Sequence, residues 1–480
     1  MESCFLKAKI LLVPSCISRR GILTSLYILF MLVTGFFCII LTPPFQVADE
    51  PNHFMRAMQI ANGGLVGIRR SPLESGGMLP QSVPIVTASF DKLKSAPQEK
   101  VTPNMITQAM TVPWSSETVF VGFSTVLYPP SSYLGAASGI LWGRFLHSSI
   151  LGTFYLARVG NLLANVAISA LALFLIPEIS IFMLSILLLP MNISLMASCS
   201  QDGMMLALTS LGIGCFLRCL LTMPSWKQFL LASGAGIAFG CVAAAKTPYL
   251  MMVFTPVLLV NRQNIRLIIT SCCSGLSVFS IWIFFGLRPV MTKLAPPGVS
   301  AAQQVVFGLH HPGQFLWAVC NTLKINWQGF ITQIIGVLGW LDTPFTLMTY
   351  IISYTFLIIT FSTSFLYFCR FKIREEYFLR LTGFLLITTI SLFCIFAALY
   401  ATWTPVGKDI VEGVQGRYFL PILMLGTLCP FIFKKYEEPD NSQLKAVQIV
   451  LTDVAINSLI FVFMLFCYIV LCKTLSQRYW

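Results

Sequence analysis

Long apolar stretches separated by short polar segments run through the chain. Eleven of them have roughly the length that a transmembrane helix needs, about 20 residues. They fall at 21–42, 153–176, 178–197, 203–222, 228–245, 247–261, 267–287, 345–368, 380–400, 418–434 and 447–471. A further stretch, 131–147, is apolar but short, and it either spans the membrane or lies in the interface. The pattern predicts an all-α polytopic membrane protein with about 11 transmembrane helices, or 12 if 131–147 spans.

Composition supports the membrane class. The 480 residues are 56% apolar and 10% charged, and the mean hydropathy is +0.80. These values exclude an ordinary soluble protein. The net charge of +13 is a topology signal on loops rather than a nucleic-acid-binding patch, so we expect no nucleic-acid partner. The 15 Cys form no Cys-X-X-Cys pair and no Cys/His cluster, so neither a metal site nor a disulfide framework is indicated.

The Lys and Arg residues predict the orientation. With the basic N-terminus on the cytoplasmic side, eleven spans place the later basic groups on that side as well. These are Arg218, Lys227, Arg262, Arg266, Arg370, Lys372, Arg374, Arg380, Lys434, Lys435 and Lys445. Counting 131–147 as a span would move the first four outside. We therefore adopt eleven spans, with the N-terminus inside and the C-terminus outside.

This orientation predicts a single membrane domain, 1–480, with elaborated outer loops. The first extracytoplasmic loop is 43–152, and it is expected to contain interfacial helices. The second large outer loop is 288–344, and a shorter one is 401–417. Most of the unusual polar residues fall in these loops and in two short outer turns.

The most informative polar segment, PPFQVADEPNHF at 43–54, follows the first span directly. A proline after two acids is typical of a helix start, and Asp49, His53 and Arg56 would then share a helix face at i, i+4 and i+7. A helix cap followed by a solvated polar face explains the same pattern. The alternative is catalytic, with one carboxylate of Asp49 and Glu50 as general base. The second carboxylate or His53 would orient it, and the shared face favours Asp49 as the base.

Two outer turns add an acid and a base. Asp202 is either a simple helix cap or a second acid that faces the first loop. Lys246 either extends its side chain to the interface without a further role or neutralises an anionic lipid phosphate.

Two later segments carry further candidates. Trp340 and Asp342 precede a span, where an aromatic belt and a helix cap explain them equally well. Arg417 and Tyr418 lie at the mouth of another span, and Arg is the natural bidentate partner of a phosphate.

Six short elements occur in order along the chain. They are PPFQVADEPNHF at 43–54, YPP at 128–130, SQDG at 200–203, KTPY at 246–249, GWLDTP at 339–344 and QGRYFLP at 415–421. From about residue 30 to about residue 425 the chain resembles a bacterial family of predicted multi-spanning membrane proteins, the domain of unknown function 2142. That family resembles the GT-C glycosyltransferases. The resemblance implies a GT-C-like fold, an acidic base in the first outer loop and a polyprenyl-phosphate sugar as donor.

Sugar transfer from a lipid phosphate needs a base for the acceptor hydroxyl and cations for the leaving phosphate, at the level of the lipid headgroups. The expected catalytic residues are Asp49, Glu50 and His53. The expected phosphate-binding residues are Lys246, Arg417 and Tyr418. The expected substrate-binding residues are Arg56, Tyr128, Asp202, Trp340, Asp342 and Gln415. No cofactor is assigned, and a divalent cation stays open.

The expected function is sugar transfer onto a cell-surface glycan or a lipid-linked precursor, for example glucosylation of O-antigen in lipopolysaccharide. It would take place on the periplasmic face of the bacterial inner membrane. A transporter or flippase of lipid-linked saccharide is the main alternative, although no inverted repeat is visible. A polysaccharide polymerase or ligase would carry a late loop rich in Arg and His. The late loop here has His310 and His311, which simple exposure also explains, and few arginines. A non-catalytic scaffold is the remaining alternative.

Overall fold

The computed structural model describes residues 2–176, 180–222, 225–260, 263–292, 298–368, 375–432 and 443–480. Eight helices in these ranges are long and apolar enough to cross a membrane. They are Gly21–Leu41, Ile150–Leu175, Gln201–Leu221, Trp226–Ala245, Ile265–Val290, Leu347–Leu366, Phe378–Thr402 and Val454–Tyr479. A mostly helical, multi-pass membrane protein is thereby confirmed.

The helices follow one another along the chain with short connections. The α-helices are α1 (Glu2–Leu41), α2 (Glu50–Ala61), α3 (Ser82–Ala88), α4 (Pro103–Thr111), α5 (Leu134–Phe145), α6 (Ile150–Leu175), α7 (Ser180–Leu187), α8 (Pro190–Met196), α9 (Gln201–Leu221), α10 (Trp226–Ala245), α11 (Ile265–Ile281), α12 (Arg288–Val290), α13 (Ala301–His310), α14 (Pro312–Ile335), α15 (Leu347–Phe368), α16 (Glu375–Thr402), α17 (Leu420–Met424), α18 (Cys429–Ile432) and α19 (Gln443–Tyr479). The 3₁₀ segments are Asp91–Leu93, Ser124–Leu127, Pro130–Ser132, Thr247–Leu259, Gly416–Phe419 and Leu425–Leu428, and a π-helical turn, Trp282–Leu287, joins α11 to α12.

Three of the eleven predicted spans are not long α-helices. The stretch 178–197 is broken into α7 and α8 before Pro190. The stretch 247–261 is a 13-residue 3₁₀ segment, Thr247–Leu259, and 418–434 falls in the short apolar run Gly416–Ile432. Each carries at least one proline, which lacks the backbone N–H that an uninterrupted α-helix needs.

The short apolar stretch 131–147 forms α5, which has 12 residues and is shorter than a span. It packs backbone to backbone on the first half of α6. A Cβ atom at Gly139 would lie 2.1 Å from Leu156 O, and one at Gly143 would lie 2.9 Å from the Cα atom of Thr153. Small residues four apart allow this close approach. Helix α5 is therefore a hairpin partner of α6.

The first outer loop contains a small sheet as well as helices. Strands β1 (Ile68–Ser71), β2 (Glu74–Pro80) and β3 (Thr118–Gly122) pair antiparallel in the order β1-β2-β3. The second pairing runs from Gly76↔Gly122 to Pro80↔Thr118. A separate two-stranded pair, β4 (Val337–Leu338) and β5 (Thr343–Pro344), lies in the second outer loop. These strands are an addition to the predicted all-α architecture.

Contacts between span ends define one end of the bundle, which we call the loop end because it carries residues 43–152. The Trp480 indole N–H donates to Leu41 O at 2.9 Å, so the last helix ends beside the end of the first. The C-terminus therefore lies at the loop end. Of the basic residues that predict the orientation, Arg262, Arg370, Lys372, Arg374, Lys434 and Lys435 lie outside the described residues.

A charged cluster as candidate functional site

Four charged side chains from four separate segments meet at the loop end. Lys246 Nζ lies 2.6 Å from Asp202 Oδ1. Arg417 Nη2 lies 3.3 Å from Asp49 Oδ2, and Arg417 Nε lies 3.6 Å from Asp202 Oδ2. We call Asp49, Asp202, Lys246 and Arg417 the charged cluster. Two acids and two bases balance its formal charge.

Asp49 precedes α2 in an unusual backbone conformation. Its φ of 65° lies in the left-handed region, which Asp tolerates better than most residues. Its carboxylate makes no capping bond to the helix, and it points to Arg417 instead. The cap interpretation of Asp49 is therefore wrong, whereas the predicted helix after it is confirmed.

The second acid of the charged cluster is not a cap either. The side chain of Ser200 caps α9, because its Oγ accepts a hydrogen bond from Asp202 N at 3.1 Å. Asp202 follows within the first turn and its carboxylate is free to bind Lys246. The turn after α10 presents Lys246 in extended backbone, where the following proline starts the 3₁₀ segment Thr247–Leu259.

Close backbone packing positions Arg417. A Cβ atom at Gly416 would lie 2.2 Å from Phe330 O on α14, so only glycine fits there. The Gly416 N–H donates to Gln333 Oε1 at 2.6 Å. These contacts hold the turn Gly416–Phe419 against α14 and direct Arg417 into the cluster.

The cluster members differ in exposure. The Arg417 side chain is 5% exposed and Asp202 is 12% exposed, whereas Asp49 is 49% exposed. The buried Arg417 Nε has no hydrogen-bond partner among the described residues. Asp49 is therefore the acid that a molecule arriving from solvent can reach, and Arg417 retains an unused donor beneath it.

An apolar cavity of about 290 Å³ adjoins the cluster. Its polar end is formed by Lys246 and Tyr418, and its walls include Ile395 and Leu399 of α16. Lys246 Nζ lies 4.2 Å from the centre of the Tyr418 ring, a cation–π distance. The Tyr249 hydroxyl donates to Tyr418 O at 2.7 Å, which holds Tyr418 in place. A cation thus stands at the mouth of an apolar space.

His53 is buried beneath the cluster between two tyrosines. Its Nδ1 lies 2.7 Å from the Tyr133 hydroxyl, and its ring stacks on Tyr128 at a centroid distance of 6.2 Å. Burial lowers the pKa of His53 to about 4, against the opposing effect of the Asp49 and Asp202 charges. The imidazole is therefore neutral at neutral pH. Among the described residues no hydrogen bond joins His53 to Asp49, so it does not orient that carboxylate directly.

Glu50 points away from the charged cluster. It is fully buried and receives the Arg158 side chain in a bidentate pair, with Nε to Oε1 at 2.9 Å and Nη2 to Oε2 at 2.7 Å. The Cys199 N–H also donates to Glu50 Oε1, at 3.0 Å. The expectation that Glu50 faces a substrate is wrong, because protein donors occupy both of its oxygens.

Arg158 is a residue that sequence reasoning missed. Its guanidinium also donates to Ile39 O, Thr42 O and Pro43 O, so it ties the end of α1 to α2 and α6. An arginine inside the apolar stretch 153–176 is itself a signal for a buried, paired and important residue.

Arg56 is likewise structural in its contacts. It is fully buried, and it donates to Tyr128 O at 3.0 Å, to Leu65 O at 2.8 Å and to the Gln59 side chain. The predicted solvated face of α2 is therefore wrong. Tyr128 lines the apolar cavity while its carbonyl receives Arg56, and burial raises the pKa of its hydroxyl.

Trp340 and Asp342 belong to a second group of contacts. The Trp340 N–H donates to Phe45 O at 3.2 Å, and the Asp342 carboxylate receives Arg478 at 2.8 Å. Within the described ranges no hydrogen bond or ion pair links either residue to the charged cluster. Gln415 lies two residues before Arg417, and its buried Oε1 has no partner in the described part of the chain. No group of three His, Cys, Asp or Glu side chains that could hold a metal ion occurs among the described residues.

The fold and the charged cluster define a multi-pass helical membrane protein with a polar site at one end of its bundle. The chain belongs to the DUF2142 family of predicted membrane proteins, whose family model matches residues 31–426. No curated protein and no solved structure matches the chain.

Proposed function

We propose that this protein is a GT-C-type glycosyltransferase that moves a sugar from a polyprenyl-phosphate donor to a cell-surface glycan or lipid-linked precursor. The observation that carries the proposal is the position of Lys246 and Arg417. Both cations lie beside the half-exposed carboxylate of Asp49, and Lys246 also forms the mouth of an apolar cavity. A lipid phosphate linked to a sugar needs all three features in one place.

The proposed reaction is a single displacement. The acceptor hydroxyl attacks the anomeric carbon while Asp49 takes the hydroxyl proton, and the bond from that carbon to the phosphate oxygen breaks. The new glycosidic bond has inverted configuration, and polyprenyl phosphate leaves with the bonding electron pair. Asp49 is the base in this account because it is the exposed acid of the cluster.

The cations stabilise the charge that develops on the leaving phosphate. Lys246 offers a compact charge at the cavity mouth, and Arg417 offers an unused Nε donor. Asp202 contacts both cations and holds them in position before the donor binds. The isoprenoid chain enters the apolar cavity beside Tyr418.

The proposed topology has eleven crossings. To the eight long helices it adds α7 with α8, the 3₁₀ segment Thr247–Leu259 and the run Gly416–Ile432. The ends of the first and last spans meet, which requires an odd number of crossings. Eight alone would be even. With the basic N-terminus in the cytoplasm, the charged cluster then faces the outer side of a bacterial inner membrane.

A transporter of the same lipid is the second candidate. It is favoured by a second cavity along the same seam between Thr247–Leu259 and α16, lined by residues that include Leu258 and Ile387. Two cavities on one seam could guide a lipid across the membrane. Transport needs no base, so the exposed carboxylate of Asp49 favours the transferase.

Mass analysis of the surface polysaccharide, with and without the gene, tests the proposal. A transferase predicts that the glycan of the deletion strain lacks the mass of one sugar per modified unit, and that the wild-type gene restores it. An unchanged glycan, under conditions in which the protein is made, would contradict glycosyl transfer and favour transport.

A further inference from the structure

A second apolar cavity lies on the seam between the 3₁₀ segment Thr247–Leu259 and α16. Its volume is about 760 Å³, within the range of small-molecule binding sites. Several residues on its rim are exposed on the outer surface of the bundle, among them Val257, Leu379 and Leu386. The cavity therefore opens sideways, where the hydrocarbon part of a membrane would be.

The local sequence explains why this seam is not filled. A 3₁₀ helix is narrower than an α-helix and rarely runs beyond a few residues, yet this segment has 13. Opposite it, α16 presents Gly383, and a Cβ atom there would already lie 2.9 Å from Leu258 Cδ2. The narrow helix and the missing side chain together leave room for a chain-like ligand.

One charged residue, Arg380, lines this otherwise apolar cavity. Its side chain is partly exposed, and no hydrogen bond or ion pair joins it to any described residue. Thr402, which lines the first cavity, is 22 positions further along α16, roughly 33 Å at 1.5 Å per residue. A lipid whose phosphate binds near Lys246 therefore cannot also place that phosphate on Arg380.

We propose that this second cavity binds an anionic phospholipid from the leaflet opposite the loop end. Its phosphate pairs with Arg380 and one acyl chain lies in the cavity against Leu258 and Gly383. Phospholipid is favoured over polyprenyl phosphate because the headgroup must come from the leaflet on Arg380's side. This site does not depend on the proposed transferase activity.

Native mass spectrometry of the purified full chain in detergent tests this site, with two lipids that share the same acyl chains. Dioleoyl phosphatidylglycerol should bind about fivefold more tightly than dioleoyl phosphatidylcholine, the factor expected for one basic side chain at an anionic membrane surface. Arg380→Gln should remove that preference. The matched control is Arg266→Gln, since Arg266 is exposed at the start of α11 and does not line the cavity.

A second pair of variants tests the chain-binding part. Gly383→Leu should reduce binding of both lipids, whereas Gly329→Leu should not, because a Cβ atom at Gly329 meets no atom within 4 Å. If Gly383→Leu does not fold, the Arg380→Gln comparison decides alone. Equal affinity of the wild-type protein for both lipids would overturn the proposal, as would an equal loss in Arg266→Gln. Polyprenyl phosphate that binds through Arg380 and excludes phosphatidylglycerol would overturn it in favour of a lipid transport path.

Discussion

Arg417 Nη2 lies 3.3 Å from the Asp49 carboxylate, although 368 positions separate the two residues in the chain. The contact joins the segment after the first span to the turn before Leu420. It brings a half-exposed acid and a buried base together at the loop end. A single site assembled from such distant segments is the structural basis of the proposed activity.

The adjacent acids Asp49 and Glu50 should behave differently when neutralised. Glu50→Gln leaves the fully buried Arg158 without its charge partner, and loss of one member of a buried pair destabilises by about 3–5 kcal/mol. Asp49→Asn should leave stability nearly unchanged because Asp49 is half exposed. Thermal unfolding in detergent measures both.

Glu117→Gln is the matched control for that comparison, since Glu117 is an exposed acid in the same outer loop. It should unfold like the wild-type protein. A Glu50→Gln protein as stable as the Glu117→Gln protein would show that the pair with Arg158 is not needed for folding.

The two cations of the cluster should not tolerate exchange. Lys246→Arg places a planar guanidinium where Asp202 and the Tyr418 ring fit an ammonium, and Arg417→Lys removes the donor fork. Each exchange should raise the apparent KM for a synthetic short-chain polyprenyl-phospho-sugar more than that for the acceptor. Wild-type donor dependence in Arg417→Ala would remove Arg417 from the site.

Acid should destabilise the protein through His53. Its folded-state pKa of about 4 lies below the ordinary 6.5, so between these values the unfolded chain binds a proton that the folded protein excludes. Stability therefore falls as the pH is lowered through this window, by about 2 kcal/mol at pH 5. The unfolding temperature of the wild-type protein should drop more between pH 7.5 and pH 5 than that of His53→Gln. Equal drops would assign the acid sensitivity to other groups.

The orientation can be tested by labelling introduced cysteines in a variant without native Cys. A membrane-impermeant reagent added from outside should modify Asp91→Cys in the first outer loop and should not modify Arg266→Cys at the start of α11. Labelling of Arg266→Cys in intact cells would reverse the orientation.

The long helices could be predicted because hydropathy and length are local properties. Where prolines interrupt an apolar stretch, as at Pro190, the same signal overestimates the helix. The sheet in the first loop was not predictable from alternation. Its central strand includes Gly76, which contacts Val121 O so closely that a Cβ atom would lie 1.8 Å away, and a glycine carries no hydropathy signal.

The members of the charged cluster could be singled out in the sequence, since each is a charge at the edge of an apolar stretch. Their mutual contacts could not, because they depend on how distant turns pack. Glu50 and Arg56 show the limit most clearly. Helical spacing predicts which residues share a face of α2, but it does not show that the rest of the loop buries that face.

Asp49→Asn tests the central claim most directly. Membranes with the wild-type protein, Asp49→Asn or Asp91→Asn receive a radiolabelled polyprenyl-phospho-sugar, and incorporation into surface glycan is measured. Asp91 is an exposed acid of the same loop outside the cluster. The account predicts a 10²–10⁴-fold loss of transfer in Asp49→Asn, typical of a general base, with unchanged folding, and wild-type transfer in Asp91→Asn. Full transfer by Asp49→Asn would contradict the assignment of the base and the transferase mechanism built on it.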